Sequence, residues 1–264
     1  MSLSSLTYMS NNITSTPYKR NTSEITSEIL DKSEVLKYAI TRELLKKIFG
    51  FLEISNCKEC YAGYKYLIDR CQYCFHYFLY DPKGKYIIIL NTIDGDKIIG
   101  FQTRDITGRK PKQYRFQTFN LARIYRDILK TNIDIPESIN TLSTVFNIFN
   151  VDLYSQVLVT EGPMDAFLLP NCIATSGATK SLGIDLPFWF VYDSDKTGTD
   201  HAIEKLQEGY QVFMWEKLKK DLNLPYKKKW DINDVIKWCR DNSYTQKIYW
   251  SQYFSNDILD GLDI

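Results

Sequence analysis

Apolar residues in this chain fall at helical spacing in some stretches and in short runs cut by turns in others. Leu36, Ile40, Leu44, Leu45 and Ile48 make one stripe, which predicts a helix from about Ser33 to Phe51. Residues 75–119 read as β-rich. Phe78-Leu79-Tyr80, Tyr86 to Leu90 and Lys97 to Thr103 are predicted strands, with turns at Asp81-Pro82-Lys83-Gly84 and Asp94-Gly95-Asp96. Residues 120–150 read as helix and connector, with Leu121, Ile124, Tyr125 and Ile128 on one face and Pro136 interrupting. Beyond residue 151, strands are predicted near 156–160, 172–175, 188–192 and 211–215. Helical spacing follows the first from Met164 to Leu169 and the third from Thr199 to Glu208. Strand, turn and helix in repetition predict parallel strands in an α/β sheet. The Ser-, Thr- and Asn-rich residues 1–30 are expected to be mostly disordered. Residues 243–264, with Asp257, Asp260 and Asp263, are expected to be a solvated tail. The predicted organisation is therefore a tail over 1–30, a smaller α+β subdomain over 31–150, an α/β domain over 151–242 and a second tail.

Two of the apolar runs stop abruptly at carboxylates followed by glycine. Val157-Leu158-Val159-Thr160 ends at Glu161-Gly162-Pro163-Met164-Asp165, and Phe188-Trp189-Phe190-Val191-Tyr192 ends at Asp193-Ser194-Asp195-Lys196-Thr197-Gly198. In parallel sheets the carboxyl ends of neighbouring strands converge on one crevice, so Glu161, Asp165, Asp193 and Asp195 are expected to meet there. Carboxylates so crowded repel unless cations neutralise them, and an all-oxygen set favours magnesium or manganese. The competing reading is that these acids are helix N-caps and solvated turn residues.

Glu-Gly-x-x-Asp-Ala after one strand and Asp-x-Asp-x-x-Gly after a later one resemble the Toprim domain, which bacterial-type DNA primases, topoisomerases and some nucleases share. Between them, Ala174-Thr175-Ser176-Gly177-Ala178-Thr179-Lys180-Ser181 resembles the small-residue loop after the second Toprim strand in its phage primase version. Lys229-Trp230-Asp231-Ile232-Asn233-Asp234 resembles the last acidic motif of primases. The resemblance covers residues 155–240. It implies a catalytic set of Glu161, Asp193 and Asp195, with Glu161, Asp165, Asp193, Asp195 and Asp231 around magnesium or manganese and Asp234 in support. Glu161 would be a metal ligand or a base for the attacking hydroxyl.

Charge changes the picture through its placement. The 264 residues carry a net charge of only +1. Residues 97–130, however, hold nine Lys or Arg against Asp105 and Asp127, whereas 151–200 hold seven acids against Lys180 and Lys196. A basic segment ahead of an acidic metal site suits an enzyme acting on a polyanion. Ile98-Ile99-Gly100-Phe101-Gln102-Thr103-Arg104 followed by Lys110-Pro111-Lys112-Gln113-Tyr114 resembles the basic primase subdomain that grips template and nucleotide. By that resemblance Arg104, Lys112 and Tyr114 line the template path, with Arg109, Lys110 and Arg115 nearby, and Lys180 joins the nucleotide-binding set.

Cys57-Lys58-Glu59-Cys60 and Cys71-Gln72-Tyr73-Cys74 have the spacing of two zinc knuckles, expected to close one structural four-thiolate site around a short hairpin or loop. Cys172 and Cys239 read as core residues. The sequence shows neither an apolar run of membrane-spanning length nor an N-terminal signal core, so a cytoplasmic protein is expected, in the host cytoplasm if the source is viral. Without a Gly-x-x-x-x-Gly-Lys-Ser/Thr loop no fused helicase motor is visible, and a replicative helicase is expected in trans. The expectation is thus a primase, a nucleotidyltransferase making short RNA primers on single-stranded DNA from ribonucleoside triphosphates. Cellular primases carry a separate zinc ribbon at the start, whereas here the cysteines lie in or just before the basic subdomain, which suits a small viral or phage-like enzyme. The rival readings are a Toprim nuclease using the same carboxylates and a non-catalytic nucleic-acid-binding replication accessory protein.

Overall fold

A computed structural model describes residues 31–176, 188–257 and 260. They divide into two compact units, with the chain passing from one to the other between Val151 and Asp152. The expected N-terminal tail and Lys180 lie outside the described residues.

The N-terminal unit is built on an antiparallel sheet. Its strands are β1 (Ile40–Thr41), β2 (Leu52–Glu53), β3 (Phe78–Asp81), β4 (Tyr86–Thr92), β5 (Lys97–Asp105) and β6 (Phe116–Phe119). The spatial order is β1-β5-β4-β3-β2, with β6 also paired to β5. Ile87 to Leu90 of β4 are all buried, so apolar material covers both faces of the sheet there. On one face Leu79, Ile88, Leu90 and Phe101 pack with Leu45 from helix α2 (Arg42–Phe49) and Ile124. On the other, helix α3 (Tyr61–Asp69) approaches so closely that a Cβ on Gly63 would meet the Tyr80 ring at 2.7 Å. Helix α4 (Lys112–Arg115) leads into β6, and α5 (Leu121–Arg123) runs on as a π-helical turn over Ile124–Leu129.

Two expectations change here. The single helix over 33–51 is instead α1 (Lys32–Leu36), the edge strand β1 and α2. Thr41 ends β1 and caps α2 by accepting the Leu44 N–H at 3.2 Å, while Ile40 pairs with Ile98. Between the two Cys-x-x-Cys pairs there is a helix, α3, rather than a hairpin or loop. Gly63 and Leu67, one turn apart on the buried side, hold it against the sheet.

The C-terminal unit has the predicted β/α alternation. Strands β7 (Leu158–Thr160), β8 (Cys172–Ala174), β9 (Trp189–Val191) and β10 (Gln211–Phe213) pair in parallel in the order β10-β9-β7-β8. Helix α6 (Glu137–Leu142) closes the N-terminal unit, α7 (Pro163–Ala166) follows β7, α8 (Lys196–Gln207) follows β9, and α9 (Trp215–Asp221) and α10 (Ile232–Asp241) come after β10. Ala202 and Leu206, one turn apart on α8, pack with Tyr192, Val212 and Met214. The expected C-terminal tail is partly folded. Phe254–Ser255 forms β11 antiparallel to β10, and Trp250 and Tyr253 are buried. Aromatic side chains anchor this edge, with Trp250, Tyr253 and Phe254 each packed against Phe213.

Candidate active site

The order of the parallel strands creates the site. The chain goes from β7 to β8 on one side, then crosses back to place β9 on the other side of β7. Ligands in open α/β sheets bind at such a reversal, outside the carboxyl ends of the strands. Thr160 is in register with Val191, so Glu161 and the Tyr192-Asp193 segment leave the sheet side by side at that end.

The Asp193–Asp195 turn is held from three directions. Trp215 Nε1 donates to the Tyr192 carbonyl at 2.7 Å. Ser194 and Trp230 are joined twice: the Ser194 N–H donates to the Trp230 carbonyl at 3.0 Å, and the Trp230 N–H donates to Ser194 Oγ at 2.6 Å. Beneath the turn, Gly198 lies against the Asp193 backbone, and a Cβ there would be 2.0 Å from the Asp193 carbonyl oxygen.

Asp195 caps α8, its Oδ1 accepting the Gly198 N–H at 3.0 Å. The N-cap reading is therefore correct for one of its oxygens. Its Oδ2 lies 2.8 Å from Lys229 Nζ, which also lies 2.5 Å from Asp193 Oδ2. The hydrogen bond from Lys229, followed by that from the Gly198 N–H, holds the Asp195 carboxyl below its ordinary range. Partial burial works against the Lys229 charge, but hydrogen bonds to Asp193 and Asp195 outweigh it and keep the ammonium above the usual lysine range.

Glu161 is in a different condition. Its Oε1 is buried without a hydrogen-bond partner among the described residues. Burial first, and the neighbouring Asp193 charge second, push its carboxyl above the ordinary glutamate range. Asp165 accepts the Asn233 N–H at 3.2 Å, which ties α7 to the start of α10. Asp231 caps α10 in a reciprocal pair with Asp234: its carboxylate accepts the Asp234 N–H at 2.7 Å, and Asp234 accepts the Asp231 N–H at 3.3 Å. Asp234 also pairs with Lys227 at 2.5 Å. Glu161, Asp193 and Asp195 thus form the inner group, while Asp165, Asp231 and Asp234 organise α7 and α10 beside it. Lys229 and the Ser194–Trp230 bonds are the features that sequence reasoning missed. The lysine stood in a recognised motif, but no spacing rule ties it to an acid pair more than thirty residues earlier.

Among the described residues, no three His, Cys, Asp or Glu side chains are gathered closely enough to hold a metal ion by themselves. Magnesium does not require that, because one or two carboxylates plus substrate phosphates are its usual protein site. A hard-oxygen pair that already shares one cation, beside an unpartnered buried carboxylate oxygen, fits such an ion. Cys57, Cys60, Cys71 and Cys74 are likewise not gathered as a metal site among the described residues. Cys60 immediately precedes α3 and Cys71 lies beyond its far end, so nine helical residues stand between the two pairs in sequence. Within the first pair, hydrogen bonds with Ser55 and Cys60 hold the Cys57 thiol below the ordinary cysteine range, and burial pushes Cys60 up.

In the N-terminal unit the basic residues stand among aromatic rings. Arg104 on β5 donates to the Tyr66 hydroxyl at 2.9 Å, and its guanidinium lies 5.0 Å from the Phe116 ring centre. Lys110 lies over the Tyr86 ring and donates to the Gly84 carbonyl. Arg115 Nε donates to the Lys110 carbonyl at 2.9 Å. Arg109 and Lys112 are exposed, and Tyr114 and Phe116 are about half exposed. Exposed rings among cationic side chains are the combination that binds single strands by stacking and phosphate contact. Phe116 is the addition to the predicted set, and its place one residue after Arg115 in a basic run was the available signal.

No protein-family profile and no curated protein sequence matches the chain. Solved structures do. The RNA polymerase domain of Mycobacterium tuberculosis primase DnaG superposes with a TM-score of 0.50 at 11% identity, over 81% of this chain and 82% of that one. The zinc-binding and RNA polymerase domains of Aquifex aeolicus primase give 0.40 at 14% identity, over 85% of this chain and 54% of that one. The Escherichia coli primase catalytic core gives 0.37 at 16% identity, over 83% and 70%. In its mixed α/β fold the chain is similar to the RNA polymerase domain of the mycobacterial primase. No described helix is long and apolar enough to cross a membrane.

Proposed function

We propose that this chain is a DNA primase of bacterial or phage type, with a Toprim domain as its C-terminal unit. It would synthesise short RNA primers on single-stranded DNA from ribonucleoside triphosphates, with a replicative helicase as a partner in trans. The observation that carries this reading is the convergence of Glu161 with the Asp193–Asp195 pair at the strand-order reversal, in a chain with a primase-core fold.

In this reading Asp193 and Asp195 would hold magnesium or manganese. Bound there, the ion supplies electrostatic stabilisation to the triphosphate and its leaving pyrophosphate. Glu161, whose basicity is raised by burial and by the neighbouring Asp193 charge, is assigned to accept the proton of the attacking 3′-hydroxyl. Asp165, Asp231 and Asp234 hold α7 and α10 in place around these groups. The deciding experiment incubates the chain with single-stranded DNA, labelled ribonucleoside triphosphates and magnesium. Short RNA products support the proposal, whereas cleavage of the DNA without synthesis would favour a nuclease.

The template path is assigned to Arg104, Lys112 and Tyr114, with Arg109, Lys110, Arg115 and Phe116 beside them. Arg104→Ala with Lys112→Ala should weaken single-strand binding and lower its salt slope by roughly 0.7 for each phosphate that is no longer neutralised. Titrations at several salt concentrations check this, and an unchanged slope would move the template path elsewhere.

Zinc on Cys57, Cys60, Cys71 and Cys74 is proposed from their spacing alone, and no catalytic step depends on it. Elemental analysis is expected to find about one zinc per chain. Zinc-free purified protein with four reactive thiols would remove it from the proposal.

A further inference from the structure

Lys229 occupies an unusual position for a residue absent from the expected catalytic set. Its ammonium touches Asp193 Oδ2 and Asp195 Oδ2 together. On Asp195 the other oxygen, Oδ1, is engaged in capping α8, so a divalent ion held by this pair would compete with Lys229 for the carboxylates. The backbone at this point has little freedom. The two hydrogen bonds between Ser194 and Trp230 fix the residue after Lys229 against the residue between the two acids, and Trp230 is buried. The side chain, by contrast, is 44% exposed on a flexible four-carbon stem, so it can leave without disturbing the turn. Two nearby carboxylates without a counter-charge would repel each other, and Glu161 adds a third acid beside them.

We propose that Lys229 is a built-in counter-cation of the Asp193–Asp195 pair, seated where a divalent ion binds and displaced by that ion on entry. This inference rests on the reading of the pair as a cation site. Lys229 is a positioning residue here: it keeps the acid turn in order when no metal is bound and weakens metal binding by competing for the same oxygens.

The test uses the full chain and manganese alone. Lys229→Met keeps the apolar stem and removes the charge. Its manganese affinity, measured by calorimetry and by the free-ion paramagnetic signal, should be tighter than wild type by about three- to ten-fold, the size expected when two half-exposed ion pairs no longer compete. Lys229→Arg, which keeps the charge, should bind close to wild type. Metal-free Lys229→Met should melt below the wild type and gain more in melting temperature from manganese. Should Met unsettle the fold, Lys229→Gln carries the same expectation with a polar stem end. Wild-type binding that Asp193→Asn removes, combined with equal or weaker affinity in Lys229→Met, overturns the counter-cation role and leaves the metal site standing. Absence of manganese binding in the wild type overturns both.

Discussion

Asp193→Asn, Asp195→Asn and Glu161→Gln are each expected to lower primer synthesis by about a hundredfold or more, the usual loss when one charge-stabilising group of an active site is removed. Each substitution is nearly isosteric. The amide introduced by Asp195→Asn retains an oxygen that can accept the Gly198 N–H, so the α8 cap survives, while the negative charge facing Lys229 disappears. Asp193→Asn likewise weakens the hold on a cation without touching the bonds between Ser194 and Trp230. Glu161→Gln removes a carboxylate whose Oε1 is buried without a partner among the described residues, and a charge in that setting costs stability. The Gln variant should therefore melt at or above the wild-type temperature while losing synthesis. Because these groups act on charge developing at the transferred phosphoryl group, the loss should fall on turnover, with DNA affinity nearly unchanged. Primer synthesis, single-strand binding and thermal melting of each variant check the set. Wild-type rates in all three would remove this site from the chemistry and the primase reading with it.

How much of this was legible in sequence depended on the range of the interactions involved. Parallel strands and their acidic ends were readable because β7 and β9 are short apolar runs cut by carboxylate and glycine, and the signal is wholly local. The break between α1 and α2 was not readable. Leu36, Ile40 and Leu44 keep a four-residue period straight through β1, and only the pairing of Ile40 with Ile98, far along the chain, makes that stretch extended. Helix α3 offered a local signal in Gly63 and Leu67, but the flanking cysteines drew the reading toward a loop. The aromatic cluster of Trp250, Tyr253 and Phe254 argued against a tail, although its aspartates dominated the reading. Lys229 was beyond reach for the same reason as β1. Its place is set by hydrogen bonds between Ser194 and Trp230, which no periodicity encodes.

Gly198→Ala should damage stability and chemistry together, because the close approach it would disrupt lies inside the acid turn. The added Cβ would lie 2.0 Å from the Asp193 carbonyl oxygen, 2.9 Å from its carbon and 3.0 Å from its nitrogen. All three are backbone atoms, so no side chain can swing aside. Either α8 moves away from β9 or the Asp193 peptide moves, and both displace the Asp193–Asp195 pair. Overpacking of this kind costs about 3 kcal/mol, which corresponds to a fall of about 12–24 °C in the melting temperature of a unit of roughly 100 residues. Well below that temperature the variant remains folded, and the misplaced turn should still lower primer synthesis by about a hundredfold, the effect of a reacting group displaced by roughly 1 Å. Gly209→Ala is the control. Gly209 has φ +85° with no atom near its missing Cβ, so Ala there strains only the backbone. It should lose about 1 kcal/mol of stability and keep the wild-type rate per folded molecule. Equal melting and equal synthesis for Gly198→Ala and wild type would mean that the turn does not depend on this close approach.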